Sequence, residues 1–389
     1  MPMLEASSIS VQVVDPPAFT PPYDHALCGG LVDAGAEVEL ITSAFAHGPV
    51  PEARGYLVDE RFYGLAERFG GSHPLLRRGL RAIEHVPEML SYTRSLDGPA
   101  GPDVVHWQWL PIPGLDSHLL GSHHPKVFTM HWRLPDPDSR IARRLTRLLS
   151  RFDAVVSHTR HGARRLETDF GVRPERITVI PHGALDYLTR QAEEEPLPAE
   201  LASSKAPVIL AFGLIRPYKG TEVLIEALDR VPEAELWIVG KPMMDMAQIT
   251  SLAAERPGRV RIIDRFVPDR EIPAFMRRAD VVCLPYRNIE QSGVLYAALA
   301  FGKPLVLSDV GGFPEIADEG AARLHPAGDS AALGEILSEV LASPTELEDL
   351  AEASLRLASE RYSWSGIGRQ TLDLYLRLLE DGGGSPDNH

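Results

Sequence analysis

Two loops in the second half of the chain carry residue types that suit phosphate binding. The run AFGLIRPYKG contains Gly213, which allows close approach to the backbone, and the cations Arg216 and Lys219. The chain has five lysines, and Lys219, Lys241 and Lys303 all lie in this half, beside strand-like runs. A solvated loop would explain any one of these cations alone. Their concentration predicts an anion-binding edge.

The run PYRNIEQSGV provides the second loop. A strand is predicted to end at Pro285 and a helix to begin near Ser292. Unpaired backbone N–H groups at a helix N-terminus, here Ser292 and Gly293, favour a phosphate. A Ser-Gly helix start is weak evidence alone. Together with Arg216 and Lys219, it predicts a diphosphate cradle that needs no metal ion.

Histidines follow two strand-like runs of the first half. His131 is the first-half residue with the best claim to a catalytic role, and His106 is a weaker candidate; a structural histidine is the alternative for both. Trp107, Trp109 and Trp132 lie beside them and could stack on an acceptor sugar or lipid, or simply pack between domains. The histidines between 106 and 131 follow no tetrahedral ligand spacing, so no metal site is predicted.

Alternating apolar runs and amphipathic stretches predict parallel sheets covered by helices, with ligands at the carboxyl ends of the strands. A helix is predicted from Asp24, as N-cap, to Gly35. The predicted strands are Ile9–Val14, Val38–Thr42, Val104–His106, Val127–Met130, Ala154–His158, Thr178–Ile180, Val208–Phe212, Glu235–Val239, Arg259–Ile263, Val281–Pro285 and Pro304–Ser308.

A length of 389 residues exceeds what one hydrophobic core usually supports, so two domains are expected. The first is predicted over residues 1–185 and the second over 206–365, with a polar linker at 186–205. A helix over 366–380 is expected to return to the first domain, and a disordered tail is expected over Asp381–His389.

The net charge of −15 is unevenly distributed. Residues 1–190 carry 20 Lys and Arg against 22 Asp and Glu, whereas residues 191–389 carry 19 against 32. An acidic chain without a basic stripe argues against nucleic acid as a partner. No apolar run approaches the ~20 residues of a membrane-spanning helix, and no signal peptide is evident, so a cytoplasmic protein is expected. Cys28 and Cys283 are predicted to be buried core residues.

Arginines cluster in the near-neutral first half, at Arg77, Arg78 and Arg81 and again between 140 and 151. A solvated helix surface is the plain interpretation. The alternative is a face that meets anionic lipid headgroups or a phosphorylated acceptor, which would place the protein at the inner face of a membrane. The second cluster predicts a helix with Arg140, Arg144, Arg147 and Arg151 on one face and Ile141, Leu145, Leu148 and Phe152 on the other.

The order and spacing of several stretches resemble the retaining glycosyltransferases of family 4. The matching stretches are FGLIRPYKG, LWIVGKP, ADVVCLPYRNIEQSGV and AFGKPLVLSDVGGFPEI, with weaker agreement at TMHWRLP and VIPHG. The resemblance spans nearly the whole chain. It implies a GT-B fold, in which two Rossmann-like domains face each other across a cleft. It also implies retaining, metal-independent transfer of a hexosyl-type sugar from a nucleoside diphosphate to an acceptor hydroxyl.

Carried over to this sequence, the resemblance implies four groups of site residues. Lys219 would contact the donor diphosphate, with Arg216 as a second cation, and His131 would face the donor sugar. The donor phosphate and sugar loop would comprise Glu290, Gln291, Ser292, Gly293 and Val294. The nucleotide pocket would comprise Gly240, Lys241, Arg265, Phe266 and Val267. The acceptor and phosphate loop would comprise Pro21, Pro22 and Tyr23, together with His106.

Two departures from the family pattern leave alternatives open. Leu214 follows Gly213 where the family has an arginine, and Ala297 stands where a second, ribose-binding glutamate is expected. Ala297 favours a nucleotide-sugar-binding protein without catalysis as a second hypothesis. A nucleotide-sugar epimerase or a phosphorylase is a third, because both occur on this two-domain architecture. The sequence leaves the sugar, the base, the acceptor and the oligomeric state open; a lipid-linked or anionic acceptor fits the arginine clusters.

Overall fold

The computed structural model describes residues 8–45, 48, 50–69, 73–98, 101–121 and 124–383, which form two compact units. One unit contains the chain up to Gly183 together with the helix Trp364–Gly383, and the other is Ala184–Ser363. Of the predicted tail, residues 381–383 end that helix and residues 384–389 lie outside the described residues. Within the described ranges, no helix combines the length and apolar character that a membrane span requires.

The first unit is built on a seven-stranded sheet in the order β3-β2-β1-β4-β5-β6-β7, with every pair parallel. Its strands are β1 (Ser10–Asp15), β2 (Glu37–Ser43), β3 (Leu57–Phe62), β4 (Val104–Trp107), β5 (Lys126–Thr129), β6 (Ala154–Ser157) and β7 (Ile177–Val179). Its first helices are α1 (Pro21–Asp33), α2 (Gly64–Phe69), α3 (Pro74–Ser95), α4 (Pro113–Asp116), α5 (Arg140–Leu149) and α6 (Arg160–Thr168).

The second unit is built on a six-stranded parallel sheet in the order β10-β9-β8-β11-β12-β13. Its strands are β8 (Val208–Phe212), β9 (Glu235–Val239), β10 (Val260–Ile263), β11 (Val281–Leu284), β12 (Leu305–Ser308) and β13 (Ala322–His325). Its helices are α7 (Ala199–Ala202), α8 (Thr221–Ala227), α9 (Ala247–Ala254), α10 (Ile272–Arg278), α11 (Gly293–Ala300), α12 (Pro314–Ala317), α13 (Ser330–Ala342) and α14 (Pro344–Ser359).

The last helix, α15 (Trp364–Gly383), packs against α1 in the first unit. Glycines allow this close approach: a Cβ on Gly30 would lie 2.3 Å from the carbonyl oxygen of Trp364, and a Cβ on Gly368 would lie 2.0 Å from that of Gly30. Side chains from α15, such as Ile367 and Tyr375, are completely buried. The core on this face of the first sheet therefore depends on α15.

Burial explains which elements the sequence predicts well. The central strands are runs of buried β-branched and apolar residues, as expected for a sheet covered on both faces. β3 and β13 were not predicted: most of the LVDERF side chains of β3 are exposed or half-buried, and β13 is the four-residue run ARLH. Cys28 and Cys283 are buried and free, which confirms the prediction that they are core residues.

Several local predictions are wrong. Helix α1 begins at Pro21, not at Asp24, because proline suits the first turn, whose N–H groups have no intrahelical partner. Asp24 is buried and does not cap the helix. Ile141 of α5 was predicted on the buried face and is 62% exposed. In the predicted linker, Leu188 and Leu201 are buried in the core of the second unit.

Candidate functional site

Three predicted site residues meet at the carboxyl end of β8. Gly213 follows this strand with φ +91°, a conformation that glycine adopts at little cost. A Cβ at Gly213 would lie 3.1 Å from Nζ of Lys219 and 3.0 Å from Cγ2 of Val294. The structure therefore brings together the lysine of the first predicted loop and the helix start of the second.

Lys219 ends a short 3₁₀ turn that begins at Pro217. Its Nζ donates a hydrogen bond to the carbonyl oxygen of Phe212 (3.3 Å) and lies 5.2 Å from the centre of the Tyr286 ring. Burial and, secondarily, the charge of Arg216 lower the pKa of Lys219 to about 8. The ammonium is therefore mostly protonated at neutral pH, in a site where an anion would relieve the cost of its burial. Arg216 itself is exposed.

Ser292 is the N-cap residue of α11, but its side chain does not cap the helix. Instead its Oγ lies 3.4 Å from the hydroxyl of Tyr286. Gly293 is exposed, and a Cβ there would meet no atom within 4 Å. No side chain of the described residues covers Gly293, so a ligand can reach the backbone at the start of α11.

Glu290 and Gln291 precede this helix start. Glu290 is buried, and Oε1 of Gln291 is a buried acceptor with no hydrogen-bond partner among the described residues. A buried oxygen of this kind is expected to find a donor, which a sugar hydroxyl could supply. Ala297, at the position expected for a second glutamate, is 4% exposed and lies in the hydrophobic core. No carboxylate is therefore supplied from that position.

The loops after β9 and β10 carry the predicted nucleotide residues. Gly240 has φ +150°, and the carbonyl oxygen of Lys241 accepts a hydrogen bond from the N–H of Ile215 (3.0 Å). The guanidinium of Arg265 donates to Glu271 (2.9 Å). The loops after β8 and β9 are thus bonded together, whereas Arg265 is already paired. The ring of Phe266 is 58% exposed and the neighbouring Val267 is buried.

Lys303 does not belong to the anion-binding edge. Its Nζ donates to the carbonyl oxygens of Arg277 (3.0 Å) and Ala279 (2.8 Å), near the end of α10. It also precedes β12, at the opposite end of the strand from the cradle. The prediction that Lys303 contributes to an anion site is therefore wrong, because its ammonium donates to these two carbonyl oxygens instead.

In the first unit, His131 follows β5 inside an aromatic cluster. Its imidazole stacks on Trp109, with centroids 5.1 Å apart and planes at 14°, and meets the Tyr23 ring edge-on at 4.6 Å. Its Nε2 lies 3.0 Å from Oε1 of Gln108, and its Nδ1 lies 3.4 Å from Nε2 of His158. The ring is therefore held on two faces and at both nitrogens.

These imidazoles are neutral at pH 7. Burial lowers the pKa of His158 to about 4 and that of His182 to about 3. It also lowers the pKa of His131 well below its usual value, and the repulsion between protonated forms of neighbouring histidines acts in the same direction. Nδ1 of His158 donates to the carbonyl oxygen of Ile180 (3.0 Å), which leaves its Nε2 as an acceptor for His131. The His131 imidazole therefore carries no charge at neutral pH.

The predicted acceptor loop is only partly a loop. Pro21, Pro22 and Tyr23 form the first turn of α1, and Tyr23 is 4% exposed. His106 lies inside β4 and is 1% exposed, with Nδ1 2.5 Å from the Tyr375 hydroxyl and Nε2 2.7 Å from Oγ1 of Thr129. Both nitrogens are occupied, so the prediction of His106 as an acceptor residue is wrong and its alternative, a structural histidine, is correct.

The sequence did not indicate a buried carboxyl pair at the end of β1. Burial raises the pKa of Asp15 to about 6 and raises that of Asp24 further, because its neighbour Asp15 is also acidic. The two carboxyl groups are therefore coupled, and the protonated form of Asp24 is favoured relative to an exposed aspartate. Asp24 lines a cavity of about 210 Å³ together with Pro21, Thr42 and Ser43. Two acidic residues nine positions apart give no pattern from which this contact could be read.

Comparisons with known proteins agree in both units. The family model described as Glycosyltransferase Family 4 matches residues 23–184, and the model described as Glycosyl transferases group 1 matches residues 206–343. The chain is 30% identical over 310 residues to a D-inositol 3-phosphate glycosyltransferase of Xylanimonas cellulosilytica, a match that covers 72% of each chain.

Solved structures with similar folds cover almost the whole chain. A sucrose-phosphate synthase from Thermosynechococcus elongatus superposes with a TM-score of 0.70 at 18% identity, covering 96% of this chain and all of that one. The Anabaena protein HepE, solved in complex with UDP-glucose, superposes with a TM-score of 0.66 at 18% identity, covering 95% of this chain and all of that one.

Proposed function

The chain belongs to glycosyltransferase family 4, and from this premise we propose that it moves a sugar from a nucleoside diphosphate to an acceptor hydroxyl with retention of configuration. It is a glycosyltransferase with two Rossmann-like parallel sheets, the GT-B fold. The observation that carries the proposed donor chemistry is the convergence of Gly213, Lys219 and Val294 at one strand end.

The cradle fits the charge that develops during transfer. As the glycosidic bond breaks, positive charge forms on the sugar ring and negative charge on the departing diphosphate. The Lys219 ammonium and the backbone N–H groups from Ser292 to Val294 are positioned donors of the kind that stabilise such a leaving group, and the exposed Arg216 guanidinium adds a second positive charge nearby. These groups supply positive charge without a metal ion, so we propose metal-independent transfer. Attack on the same face of the sugar would then be assisted by the leaving phosphate itself.

His131 is proposed to act on the reacting sugar. Its stack on Trp109 and its contacts with Gln108 and His158 fix the ring orientation. Because the imidazole is neutral, it places no cation beside the positive sugar ring. A sugar hydroxyl would bond to Nε2 in place of Gln108. A neutral, oriented imidazole suits this role better than a charged one.

Uridine diphosphate is the first donor nucleotide to test, because HepE was solved with UDP-glucose. The exposed Phe266 ring offers an apolar face on which a base can pack. The Arg265 guanidinium is already paired with Glu271. Neither contact selects one base. Guanosine and adenosine diphosphates therefore belong in the same experiment.

We further propose an acceptor that carries a phosphate. The relative from Xylanimonas is named for D-inositol 3-phosphate. In this chain, residues 140–151 contain five arginines and no acidic residue. Such a cluster, within a chain of net charge −15, favours an anionic acceptor or an anionic surface around it.

One face of the first unit supports contact with an anionic lipid bilayer at the inner face of a cytoplasmic membrane. Helices α2 and α3 pack together and expose five large apolar side chains, 50–85% accessible. Of the predicted arginine cluster at residues 77–81, Arg77 and Arg81 both pair with Glu67. The exposed apolar residues, called here the α2–α3 patch, are Leu65, Phe69, Leu75, Leu76 and Ile83.

The arginines of α5 lie on the same side of the first sheet as the α2–α3 patch. Nε2 of His85 in α3 lies 2.6 Å from Oδ1 of Asp116 in α4, and Gly114 of α4 faces the side chain of Arg144 in α5. The three helices are therefore neighbours. Apolar side chains beside several arginines are the composition that binds anionic headgroups and inserts between them.

A second function, nucleotide-sugar binding without transfer, is favoured by one observation. Ala297 is buried in the core, so the chain lacks a carboxylate at the place where the family resemblance implies a ribose contact. Binding could persist through the cradle while a mispositioned ribose slows transfer. Measuring donor binding and transfer separately distinguishes the two functions.

Thermal stabilisation by UDP, GDP and ADP tests the donor site. A ligand at one hundred times its dissociation constant stabilises the folded state by about 2.7 kcal/mol. We expect one nucleotide to raise Tm in the presence of a metal chelator, and Lys219→Ala to abolish the rise while Lys205→Ala leaves it unchanged. A shift that requires magnesium would contradict metal independence, and no shift with any nucleotide would contradict the donor site.

Flotation with lipid vesicles tests the proposed membrane contact. We expect binding to phosphatidylglycerol vesicles, little binding to phosphatidylcholine vesicles, and loss of binding at high salt. Replacing Leu75 and Ile83 by serine should release the protein, whereas Leu355→Ser, at another exposed apolar residue, should not. Equal flotation of both variants would contradict a role for the α2–α3 patch.

A further inference from the structure

We propose that Tyr286 is a positioning residue for donor binding, whose ring holds the Lys219 ammonium and whose hydroxyl holds the Ser292 side chain. One side chain would then set both halves of the diphosphate cradle. The inference rests on the proposed function, because it assigns a role within that donor site. Neither the spacing of the sequence motifs nor the family resemblance singled out Tyr286.

The contact with Lys219 is the first half of the argument. Nζ lies 5.2 Å from the centre of the Tyr286 ring, within the range of a cation–π interaction. The other contact of Nζ is the carbonyl oxygen of Phe212 at 3.3 Å. Within the described ranges no carboxylate forms an ion pair with Lys219, and its only charged neighbour that affects its protonation is the like-charged Arg216. The aromatic face therefore opposes the cost of burying this cation.

An aromatic partner has a consequence that a carboxylate partner would lack. A carboxylate would neutralise the ammonium and compete with an incoming diphosphate. A ring face stabilises the cation through its quadrupole and leaves the net charge of +1 in place. Lys219 is thus held in one position and still carries its full charge for an anionic ligand.

The hydroxyl of Tyr286 provides the second half. It lies 3.4 Å from Oγ of Ser292, at the N-cap of α11. A serine at this position ordinarily turns its hydroxyl back to cap the helix. Here the Ser292 side chain makes no capping bond. Tyr286 thus draws the hydroxyl away from the helix start, where the backbone N–H groups are left to meet a ligand.

Tyr286 is itself firmly held, as a positioning residue must be. It is 2% exposed, and its carbonyl oxygen accepts a hydrogen bond from Oγ of Ser308 (2.6 Å). Its ring packs edge-on against Tyr218 at 5.9 Å and tilted against Phe313 at 5.5 Å. The Ser308 bond holds the backbone of Tyr286, and the aromatic face cannot turn away from Lys219 without disturbing its contacts with Tyr218 and Phe313.

The test compares variants at Tyr286 with a matched variant at Tyr296. Tyr296 is equally buried, at 2% exposure, in the same hydrophobic core, and packs against Tyr362. We expect Tyr286→Leu to weaken UDP binding about tenfold in calorimetry, the factor that corresponds to a partly desolvated cation–π contact. Tyr286→Phe retains the ring and should lose no more than about threefold through the weak hydroxyl contact. Tyr296→Leu should bind like the parent protein.

A second readout does not depend on any nucleotide. Acetylation of Lys219 by acetic anhydride, followed across pH by mass spectrometry, reports the fraction of neutral amine. Without the ring, the charged amine is less favoured, so Tyr286→Leu should move the midpoint to lower pH by roughly half a unit to one unit. Tyr286→Trp restores an aromatic face and should restore the midpoint.

The outcomes separate the inference from the proposed function. If the parent protein binds none of the three nucleotides, the donor site fails, and the acetylation midpoint still decides whether Tyr286 holds Lys219. If Tyr286→Leu leaves both affinity and midpoint unchanged, the inference is wrong. Equal losses of affinity in Tyr286→Leu and Tyr296→Leu would show a general effect on the core and would also overturn it.

Discussion

Gly240 lies so close to Gly213 that a Cβ on Gly240 would be 2.2 Å from the carbonyl oxygen of Gly213. The N–H of Gly213 donates to the carbonyl oxygen of Val239 (2.9 Å), which continues the ladder between β8 and β9 into the two loops. The loop after β8 therefore packs directly on the backbone of the loop after β9. This contact is possible only because Gly240 has no Cβ.

Gly240→Ala tests this dependence. The substitution adds a backbone clash to a residue at φ +150°, so we expect a loss of about 3 kcal/mol or more in the free energy of unfolding, with nucleotide binding weakened because Gly213 moves. Gly258→Ala is the control: Gly258 has φ +78° and no atom within 4 Å of its Cβ position, so only the cost of the left-handed conformation, about 1–2 kcal/mol, applies. Equal losses in urea unfolding would show that the contact does not matter.

Nucleotide affinity should fall as pH rises through the pKa of Lys219. Burial and, secondarily, the charge of Arg216 lower this pKa to about 8. The diphosphate binds the protonated amine, so affinity is highest below pH 8 and falls up to tenfold per pH unit above it. Tyr218 and Tyr286 adjoin the site, and burial raises the pKa of Tyr286 out of this range.

Calorimetric titration with UDP from pH 7 to pH 10 checks this dependence. Lys219→Met removes the titrating group and should bind weakly with a flat profile. The same descending profile in Lys219→Met would assign the dependence to another group. Lys205→Met is the control, because Lys205 is exposed and belongs to none of the site groups.

His131→Ala should reduce sugar transfer at least tenfold and leave nucleotide affinity unchanged. His131 lies in the first unit and the phosphate cradle lies in the second, so the two measurements are independent. Since burial holds the pKa of His131 well below its usual value, the transfer rate should show no inflection from this group near pH 6.5. His73→Ala, at an exposed histidine of the same unit, is the control. Full activity of His131→Ala would return this residue to a structural role.

His106→Phe should lower stability without altering nucleotide binding. The substitution leaves the hydroxyls of Tyr375 and Thr129 buried without their present partner, at a cost of about 1–3 kcal/mol each. Tyr375→Phe removes one of these contacts and should cost less. Urea unfolding measures both changes, and an unfolding free energy like that of the parent protein would contradict the hydrogen-bond assignment.

Most of the architecture could be predicted because buried parallel strands are short apolar runs. Val208–Phe212 and Glu235–Val239 were predicted with the bounds that the structure shows. β3 was missed because its LVDERF run is mainly solvent-accessible and includes three charged side chains. Strand propensity is weak where packing does not enforce it.

Site residues could be predicted where the residue type and its place after a strand indicate a function. They were missed where the role depends on contacts that form only in the folded protein. Lys219 and Ser292 stand in loops after strands, which is where ligands of such sheets bind. Tyr286 looks like any core aromatic residue, and its two polar contacts arise only when three loops fold together. His106 was singled out for the opposite reason: it was predicted at the end of a strand, but it lies inside β4.

The packing of α15 on α1 also determines the order in which the protein can be completed during synthesis. The first unit lacks part of its core until Trp364 and the residues after it leave the ribosome, and the whole of Ala184–Ser363 is made in between. At about 5–20 residues per second, this interval lasts roughly 10 to 40 seconds. During that time the α1 surface is uncovered. The nascent chain therefore exposes to chaperones an apolar face that is buried in the finished enzyme.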